Sequence, residues 1–258
     1  MDAVNKTLYI PLFGKALVSR RGILLHDPKA EEIWAAEGFP LKGKAATKWL
    51  AFYMGMRAVV YDRWLAAKCA DHPDAAVLHL GCGLDSRVLR LENCQNLWYD
   101  VDFPEVMQER AKHYSETGRY HMVSSDVRDP AWMEGISGET AIVVMEGISM
   151  YLAPEELRSL LSSLKARFPH LHLLMDCYTE FAARASRHRN PINEVGVSQV
   201  YGLDDPMDLE ASGLEYLQEH DMTPKDLIFQ LAGMERFLFQ KLYAGKMSKK
   251  LYKMYEYQ

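Results

Sequence analysis

The chain has 258 residues, 48% of them hydrophobic, which is enough apolar content for one sizeable α/β domain with its own core. Its net charge of −5 excludes the basic surface that general nucleic-acid binding needs, and no apolar stretch reaches the ~18 residues of a membrane helix. The N-terminal residues lack the apolar run and the cleavage site of a secretory signal, so we expect a cytoplasmic protein without nucleic-acid or membrane partners.

The first 74 residues are predicted to be largely helical. Apolar residues recur at intervals of three and four within residues 15–37 and again within residues 44–70. A His-Pro-Asp sequence at 72–74 ends the second stretch, because the residue before a proline avoids the helical conformation. The chain then enters its first predicted strand.

Short apolar runs that alternate with helical stretches predict a doubly wound parallel sheet beyond residue 74. Such runs are typical of central strands, which helices cover on both faces. The predicted strands are residues 76–80, 97–103, 120–124, 140–145, 171–175, 214–220 and 251–257. The predicted helices among them are residues 104–114, 154–168 and 224–248.

A polar segment with several prolines and glycines, residues 179–212, follows the fifth predicted strand. A connection of this length is unusual in a compact domain and is typical of functional loops. We predict that it forms a lid or a substrate loop over the open edge of the sheet.

The cysteines are Cys69, Cys82, Cys94 and Cys177, and they show no Cys-x-x-Cys spacing. Four cysteines in a chain of this length are too few for a disulfide framework. The pattern is typical of a protein from a reducing cytosol, and it predicts no zinc or other metal site.

The first predicted strand ends at Gly81-Cys82-Gly83, the most informative part of the chain. Two glycines at this point let the backbone turn sharply and let a ligand approach it closely. Asp102 follows Gly81 by about 20 positions, where nucleotide-binding folds place the acid that holds the ribose hydroxyls. The arrangement predicts a site for a nucleoside.

Two departures from the dinucleotide-binding pattern narrow the choice of ligand. Ser86 occupies the place of the third glycine, and Asp85 opens the following helix, where it would repel a phosphate. Asp85 can also act as a helix cap, and the two roles are compatible. A nucleoside with ribose hydroxyls, a cation and no phosphate fits these features, and S-adenosyl-L-methionine is such a ligand.

Three stretches carry a resemblance to a known family: residues 72–91 (HPDAAVLHLGCGLDSRVLRL), 98–110 (WYDVDFPEVMQER) and 145–157 (MEGISMYLAPEEL). They resemble the leucine carboxyl methyltransferase superfamily, and more closely its bacterial branch related to the tetracenomycin polyketide O-methyltransferase. The resemblance implies a Rossmann-like class I methyltransferase fold, with a seven-stranded sheet, an antiparallel last strand and an N-terminal helical cap. We therefore divide one structural domain into a cap, residues 1–74, and an S-adenosylmethionine-binding core, residues 75–258.

The resemblance also implies which residues bind the cofactor. By the family pattern, Lys15 and Arg57 bind the methionine carboxylate, and Gly81, Gly83 and Glu146 contact the rest of the methionine moiety. Asp102 binds the ribose, and Asp126 and Val127 contact the adenine. Asp100 is the alternative ribose-binding acid. Arginine is commoner than lysine at the position of Lys15, so a single-point rather than a forked contact is implied there.

The acceptor side of the site is less well defined. Tyr151 lies just beyond Glu146 and so near the transferred methyl group, although a tyrosine in an apolar stretch is commonly part of the core. Asp176, Tyr178 and His188 are candidates for a base that deprotonates a hydroxyl acceptor, and the sequence selects none of them.

The function that the resemblance implies is S-adenosylmethionine-dependent methylation of a hydroxyl or carboxylate of a small molecule, polyketide-like or another metabolite, by a monomer or homodimer. Carboxyl methylation of a protein C-terminus is one alternative. The short substrate-covering insertion, compared with eukaryotic members, argues against it. The other alternative is a non-catalytic S-adenosylmethionine-binding partner protein.

Overall fold

A seven-stranded sheet forms the centre of the computed structural model, which describes residues 5–38, 40–186, 199–245 and 248–258. The strands are β1 (Ala76–Leu80), β2 (Trp98–Asp102), β3 (Tyr120–Ser124), β4 (Thr140–Met145), β5 (His170–Tyr178), β6 (Tyr216–Glu219) and β7 (Tyr252–Tyr257). Their order across the sheet is β3-β2-β1-β4-β5-β7-β6. Only β7 runs antiparallel to its neighbours, β5 and β6. The predicted doubly wound sheet with an antiparallel last strand is confirmed.

Helices cover both faces of the sheet. They are α1 (Tyr9–Arg20), α2 (Pro28–Glu37), α3 (Lys48–Asp71), α4 (Arg87–Arg90), α5 (Pro104–Arg110), α6 (Pro154–Arg167), α7 (Glu180–Ser186), α8 (Lys225–Ile228) and α9 (Gly233–Leu242). None of the helices in the described ranges combines the length and the apolar character that crossing a bilayer requires.

The two central strands position the site. Every residue of β1 is buried, and β4 is buried after its first residue, because helices cover them on both faces. Parallel strands end at the same edge of a sheet, so the residues that follow them come together there. Gly81 follows β1, Asp102 ends β2 and Glu146 follows β4, which carries these three residues to one edge.

The N-terminal helices α1 and α3, which belong to the region predicted as a cap, contribute residues to the cavity at this edge. A Cβ atom at Gly14 would lie 2.8 Å from a side-chain atom on α3, and one at Gly55 would lie 2.9 Å from a side-chain atom on α1. The two glycines therefore let α1 and α3 cross at close range. Lys15 and Arg57 follow these glycines and so reach the same cavity. The division into a cap and a core at residue 74 stays a prediction.

The stretch predicted as helical over residues 15–37 divides between α1 and α2. Gly22 adopts a left-handed backbone conformation with a φ of 64°, which ends α1. Asp27 then caps α2 by accepting a hydrogen bond from the backbone of Ala30 at 2.9 Å, and Pro28 opens the helix.

The single helix predicted over residues 224–248 is wrong. The described part of this range contains two short helices, α8 and α9, separated by a turn. The guanidinium of Arg236 donates to the backbone carbonyls of Phe229 and Leu231, at 2.7 and 2.8 Å. These bonds satisfy carbonyls at the turn that a continuous helix would have paired internally. Residues 246–247 lie outside the described ranges.

A disulfide joins Cys69, near the end of α3, to Cys94, in the loop before β2. The sequence analysis did not predict it, because the two residues are 25 positions apart and share no recognisable spacing. Packing of the end of α3 beside the loop brings them together. Cys82 and Cys177 are buried free thiols.

The predicted lid, residues 179–212, is described in part. Its first residues form α7, and its last form a 3₁₀ turn at Pro206–Ser212. Between them, the backbone of Tyr201 donates to Met150 and that of Leu203 to Tyr178, at 2.8 and 2.7 Å. Residues 187–198, which include the candidate base His188, lie outside the described ranges, and the role of lid stays a prediction.

Candidate active site

A cavity of about 740 Å³ lies at the carboxyl ends of β1, β2, β4 and β5. The residues that the family pattern assigns to the cofactor all line it: Lys15, Arg57, Gly81, Gly83, Asp102, Asp126, Val127 and Glu146. They come from the cap and from the ends of different strands, so their meeting is a property of the fold and not of any one motif.

The glycine turn after β1 offers backbone surface to the cavity. Gly81 and Gly83 have φ angles of 65° and 53°, which side-chain-bearing residues rarely adopt. A Cβ atom on Gly81 would lie 2.1 Å from a methyl carbon of Ile148, which also lines the cavity. Behind the turn, Arg110 donates to the carbonyl of Gly83 at 2.9 Å and holds it in place.

Asp102 places its carboxylate beside the glycine turn. Its two oxygens accept from the backbone N–H groups of Gly83 and Phe103, each at 2.8 Å. Burial raises the pKa of this carboxyl. Each oxygen keeps a lone pair for further donors. The alternative acid, Asp100, is fully buried, is ion-paired to Arg110 and is absent from the cavity wall in the described structure.

Asp126 and Val127 follow β3 and line the cavity. The carboxylate of Asp126 accepts from the side chain of Arg128 at 2.9 and 3.0 Å, and from its backbone N–H at 3.0 Å. The hydrogen bond from this guanidinium lowers the pKa of Asp126. Arg128 also donates from its second nitrogen to Oδ2 of Asp126 at 2.5 Å and contacts Glu156 at 2.7 Å, so both oxygens of the acid are engaged and its direction is fixed.

A buried group of charged residues, which we call the ion-pair cluster, forms the wall beneath α1 and α3. Its members are Lys15, Arg57, Arg87, Arg90, Asp27, Asp62, Asp85, Glu146 and Asp176. The four basic and five acidic side chains leave one net negative charge when all are ionised. A charged group is costly to bury without a partner. The cluster is therefore suited to a ligand with a net positive charge.

Asp85 is part of this cluster and not a bare carboxylate at the turn. Lys15 contacts it at 2.6 Å, Arg90 at 2.9 Å and Arg87 at 3.3 Å. Burial alone raises its pKa, but the charges of Arg87, Lys15 and Arg90 hold it well below the ordinary range. The predicted repulsion of phosphate by Asp85 alone needs correction, because the excess negative charge belongs to the cluster as a whole.

Arg57, on α3, contacts acidic residues from two neighbouring strands, Glu146 directly after β4 and Asp176 near the end of β5. Its guanidinium contacts Glu146 at 3.0 Å and Asp176 at 2.9 Å, and it also donates to the hydroxyl of Tyr252 at 2.9 Å. The Arg57 side chain is 5% exposed. Guanidinium has five N–H donors, of which these contacts use four, counting the bond from Nε to Glu146. Among the described residues, one donor is left for a ligand.

Lys15 contacts the same oxygen of Glu146, Oε1, that Arg57 contacts. Its Nζ atom lies 2.6 Å from Asp85 and 3.5 Å from Glu146. An ammonium group has three donors, so one is left within the described structure. Burial alone raises the pKa of Glu146, but Lys15, Arg57 and Arg87 together hold it well below the ordinary range.

The acceptor-side candidates separate into two kinds. Tyr151 and Tyr178 line the cavity. Asp176 has no exposed surface and is absent from the described cavity wall, so direct contact with an acceptor needs correction to an indirect role. Its carboxylate accepts from the hydroxyl of Tyr61 at 3.1 Å and from the backbone of Gly147 at 2.6 Å.

Tyr252 also lines the cavity, and the sequence analysis did not single it out. It begins β7, pairs in register with Tyr178 and lines the cavity. Its hydroxyl donates to Asp176 and accepts from Arg57. The aromatic pattern of the last strand was the only signal available, and that pattern indicates a strand without indicating which side chain reaches the site.

One group of residues in the described ranges has the spacing of a metal site: Glu37, Glu109 and His113. His113 lies 3.2 Å from Glu37, whose other oxygen accepts from the hydroxyl of Tyr9 at 2.9 Å. These residues join α2 to α5 and are absent from the described cavity wall. The group acts as a contact between the cap and the core.

The strand order and the acid beside the glycine turn define a class I S-adenosylmethionine-dependent methyltransferase. The model of the leucine carboxyl methyltransferase family matches residues 3–165, and the chain belongs to this family. The predicted resemblance is confirmed, as is the prediction that the protein is a methyltransferase that uses S-adenosyl-L-methionine.

Individual relatives agree with this assignment. The chain is 28% identical over 244 residues to the tetracenomycin polyketide synthesis O-methyltransferase of Streptomyces glaucescens, covering 92% of this chain and 90% of the relative. It is 29% identical over 159 residues to the S-adenosyl-L-methionine-dependent methyltransferase dpfgK of Gibberella zeae, covering 55% and 53%. A crystal structure from Thermobifida fusca, provisionally described as a methyltransferase, has a TM-score of 0.61 at 13% identity, covering 95% and 93%, and it shows the shared fold.

Proposed function

We propose that this protein transfers the methyl group of S-adenosyl-L-methionine to a hydroxyl or carboxylate oxygen of a small molecule. The observation that carries the proposal is a single cavity lined by two different sets of residues. One part has the glycine turn and the buried acid of a nucleoside site, and the other is lined by tyrosines. The Streptomyces relative, named for its part in tetracenomycin polyketide synthesis, supports an oxygen acceptor on a polyketide-like molecule.

The described residues fit the nucleoside part of the cofactor. Asp102 has free lone pairs for two ribose hydroxyls beside the Gly81 turn, and no ion pair to it occurs in the described ranges. Asp126 would accept from the adenine amino group, with Val127 against the ring. The cavity is narrow at Gly81, where a side chain would collide with Ile148.

The ion-pair cluster fits the methionine part. We assign the spare donors of Lys15 and Arg57 to the methionine carboxylate, and Glu146, which both of them contact, to the ammonium group. S-adenosyl-L-methionine carries a sulfonium, an ammonium and a carboxylate, so its net charge is positive. It would offset the one net negative charge of the cluster, which NAD with its two phosphates would not do.

The chemistry divides between the ligand and the protein. S-adenosyl-L-methionine supplies a methyl group on a positively charged sulfur, which is a ready-made leaving group. The protein aligns the acceptor oxygen with that carbon and excludes water. Good alignment alone supplies roughly 7–11 kcal/mol. The α1 and α3 helices lie over the cavity. Lys15 on α1 and Arg57 on α3 both contact Glu146, and these contacts would hold the two helices over the bound cofactor.

Calorimetric titration of the purified protein with S-adenosyl-L-methionine and with NAD tests the cofactor assignment. We expect heat from the first ligand and none from the second. Methyl transfer from radiolabelled S-adenosyl-L-methionine to a panel of phenols and carboxylic acids then tests catalysis. Transfer only to a peptide with a free C-terminus would replace the proposal with protein carboxyl methylation. Binding with no transfer to any acceptor would replace it with a non-catalytic partner protein.

A further inference from the structure

Two side chains outside the cavity hold the glycine turn after β1 from behind. Arg110, the last residue of α5, donates to the carbonyl of Gly83 at 2.9 Å, and the hydroxyl of Tyr114 donates to the carbonyl of Leu84 at 3.0 Å. The guanidinium of Arg110 lies 4.0 Å from the centre of the Tyr114 ring. Two consecutive carbonyls of the turn are therefore fixed by a stacked pair, which we call the turn clamp. Neither member of the pair lines the cavity in the described structure.

The turn clamp restrains the residue whose backbone is the freest to rotate. Gly83 has no Cβ atom, so its own conformational preferences do not fix the turn. Its N–H donates to Asp102 at 2.8 Å, while its carbonyl accepts from Arg110. The two groups flank one Cα atom, so a guanidinium that fixes the carbonyl also restrains the direction of the N–H. Arg110 therefore acts on the carboxylate of Asp102 through Gly83.

Arg110 is itself held by partners that are fully or largely buried. Its guanidinium is ion-paired to Asp100 and donates to the hydroxyl of Tyr120 at 2.8 Å. Asp100 has no exposed surface, and its other oxygen accepts from the indole of Trp98 at 2.8 Å. A planar guanidinium with partners in several directions has one orientation open to it. Asp100 therefore serves as the buried counter-charge that orients Arg110.

We propose that Arg110 is a positioning residue for cofactor binding. With Tyr114, it holds the glycine turn in the shape in which the Gly83 N–H orients Asp102 toward the ribose hydroxyls. The inference rests on the proposed function, in which Asp102 binds the ribose. A carboxylate that is already held in its binding direction loses less freedom when the ligand arrives, so the ligand binds more tightly. Loss of the turn clamp should therefore weaken the cofactor, and it should do so through Asp102.

Arg110→Lys tests the positioning role with little damage to the core. Lysine keeps a positive charge beside Asp100, but its compact ammonium lacks the fork with which arginine reaches Asp100, Tyr120 and Gly83 together. We expect S-adenosylhomocysteine to bind the variant about fivefold or more weakly in calorimetric titration, a typical coupling between contacting groups. Tyr114→Phe removes only a hydroxyl from the turn clamp. It should show the same effect at a smaller size, and it replaces Arg110→Lys if that variant does not fold.

A double-mutant cycle with Asp102→Ala separates positioning from a general structural effect. In the Asp102→Ala background, Arg110→Lys should weaken S-adenosylhomocysteine by less than about twofold, because the carboxylate through which Arg110 acts is gone. Equal fold-losses in the two backgrounds would mean that Arg110 supports the fold in general, and they would overturn the inference. Unchanged affinity in a folded Arg110→Lys would overturn it as well.

Arg167→Lys is the matched control, because Arg167 makes the same kind of contact elsewhere. Arg167 ends α6, donates to the carbonyl of Gly138 at 2.9 Å and lies over the ring of Phe168. These three residues are absent from the described cavity wall. The variant should bind S-adenosylhomocysteine as the wild type does. A loss like that of Arg110→Lys would count against the inference, since it would trace the effect to stability and not to the glycine turn.

The same titrations separate this inference from the proposed function. Absence of binding of both S-adenosyl-L-methionine and S-adenosylhomocysteine to the wild-type protein would overturn the proposed function, and the inference with it. Binding that Asp102→Ala leaves unchanged would remove the ribose assignment on which the inference rests. Binding that Asp102→Ala weakens and that neither Arg110→Lys nor Tyr114→Phe affects would overturn this inference alone.

Discussion

Lys15 and Asp85 form a buried ion pair across 70 positions of sequence, with Nζ and Oδ2 2.6 Å apart. Lys15 lies on the cap and Asp85 on the glycine turn, and their side chains are 3% and 6% exposed. The pair therefore fastens the cap to the part of the core that faces the cofactor. Ordering of the cap and binding of the cofactor are thus expected to be coupled.

Lys15→Met should weaken S-adenosyl-L-methionine selectively. The variant removes a charged donor to the methionine carboxylate, which is worth ~1.5–3 kcal/mol, or about tenfold or more in affinity. Methylthioadenosine has the nucleoside and the sulfur but no carboxylate, so its affinity should change little. Calorimetry with both ligands measures the difference. Lys29→Met, which removes a lysine from the Lys29–Glu32 pair of α2, is the control. Equal weakening of both ligands by Lys15→Met would contradict the assignment of Lys15 to the methionine carboxylate.

Arg57→Ala should act mainly on stability. Removing the guanidinium leaves Glu146 and Asp176 buried without their partner, and breaking a buried pair in this way costs about 3–5 kcal/mol. Urea denaturation measures the change. Arg63→Ala is the control on the same helix, because its pair with Asp226 is more than half exposed on both sides and such pairs contribute about 0–1 kcal/mol. Similar losses in the two variants would contradict the cluster as a structural unit.

Asp102→Ala should weaken the cofactor by about tenfold or more while the fold remains, because charged hydrogen bonds contribute ~1.5–3 kcal/mol each. The carboxylate accepts from the backbone of Gly83 and Phe103 but has no ion pair in the described ranges. Its removal therefore leaves no buried cation without a partner. Titration with S-adenosyl-L-methionine and thermal melting measure the two effects. Asp208→Ala, at an exposed position, is the control. Unchanged affinity in a folded Asp102→Ala would place the ribose acid elsewhere.

The sheet and the cofactor half of the site could be predicted from sequence because their signals are local. Residues 140–145 coincide with β4, since apolar runs of this length are typical of strands buried on both faces, and residues 120–124 coincide with β3, a strand at the edge of the sheet. Gly81, Asp102 and Glu146 come directly after or at the end of such strands. Predicting the strands therefore placed these residues at one edge.

The acceptor half could not be predicted in the same way because its contacts are long-range. Tyr252 meets Arg57 across 195 positions and Asp176 across 76. The antiparallel pairing of β7 with β5 sets these contacts, and no local pattern encodes it. The break between α8 and α9 was missed for a related reason, since the side chain of Arg236 supplies bonds that replace a helical ladder.

Gly81→Ala should destabilise the protein by more than its backbone conformation explains. A Cβ atom there would lie 2.1 Å from Ile148, in addition to the strain of a φ of 65°. Gly38→Ala isolates the backbone effect, because Gly38 has a φ of 59° and open space around it. In an Ile148→Ala background, the loss from Gly81→Ala should fall by about 0.5–3 kcal/mol, a typical coupling between contacting residues. Additive losses in urea denaturation would contradict the collision.

The last prediction concerns acid stability and His172 on β5. Burial first, then the nearby positive groups His72, Lys68 and Lys165, lower the pKa of His172 from 6.5 to about 4, while Glu256 acts in the opposite direction. The folded state thus binds fewer protons than the unfolded state between these two values, so stability falls as the pH falls through this window. At about pH 5, a partly exposed group of this kind should cost roughly 1 kcal/mol after allowance for solvent screening.

Replacement of His172 removes that penalty. The loss of unfolding free energy between about pH 7 and about pH 5 should be smaller in His172→Leu than in the wild type, as measured by urea denaturation at both values. The carboxyls with lowered pKa values, such as those of Glu146 and Asp85, do not contribute in this window, because their unfolded-state pKa values, 4.5 and 3.8, lie below it. His170→Leu, at an exposed position on the same strand, should keep the wild-type pH dependence. If His172→Leu also keeps it, the partly buried ring of His172 does not limit stability in acid.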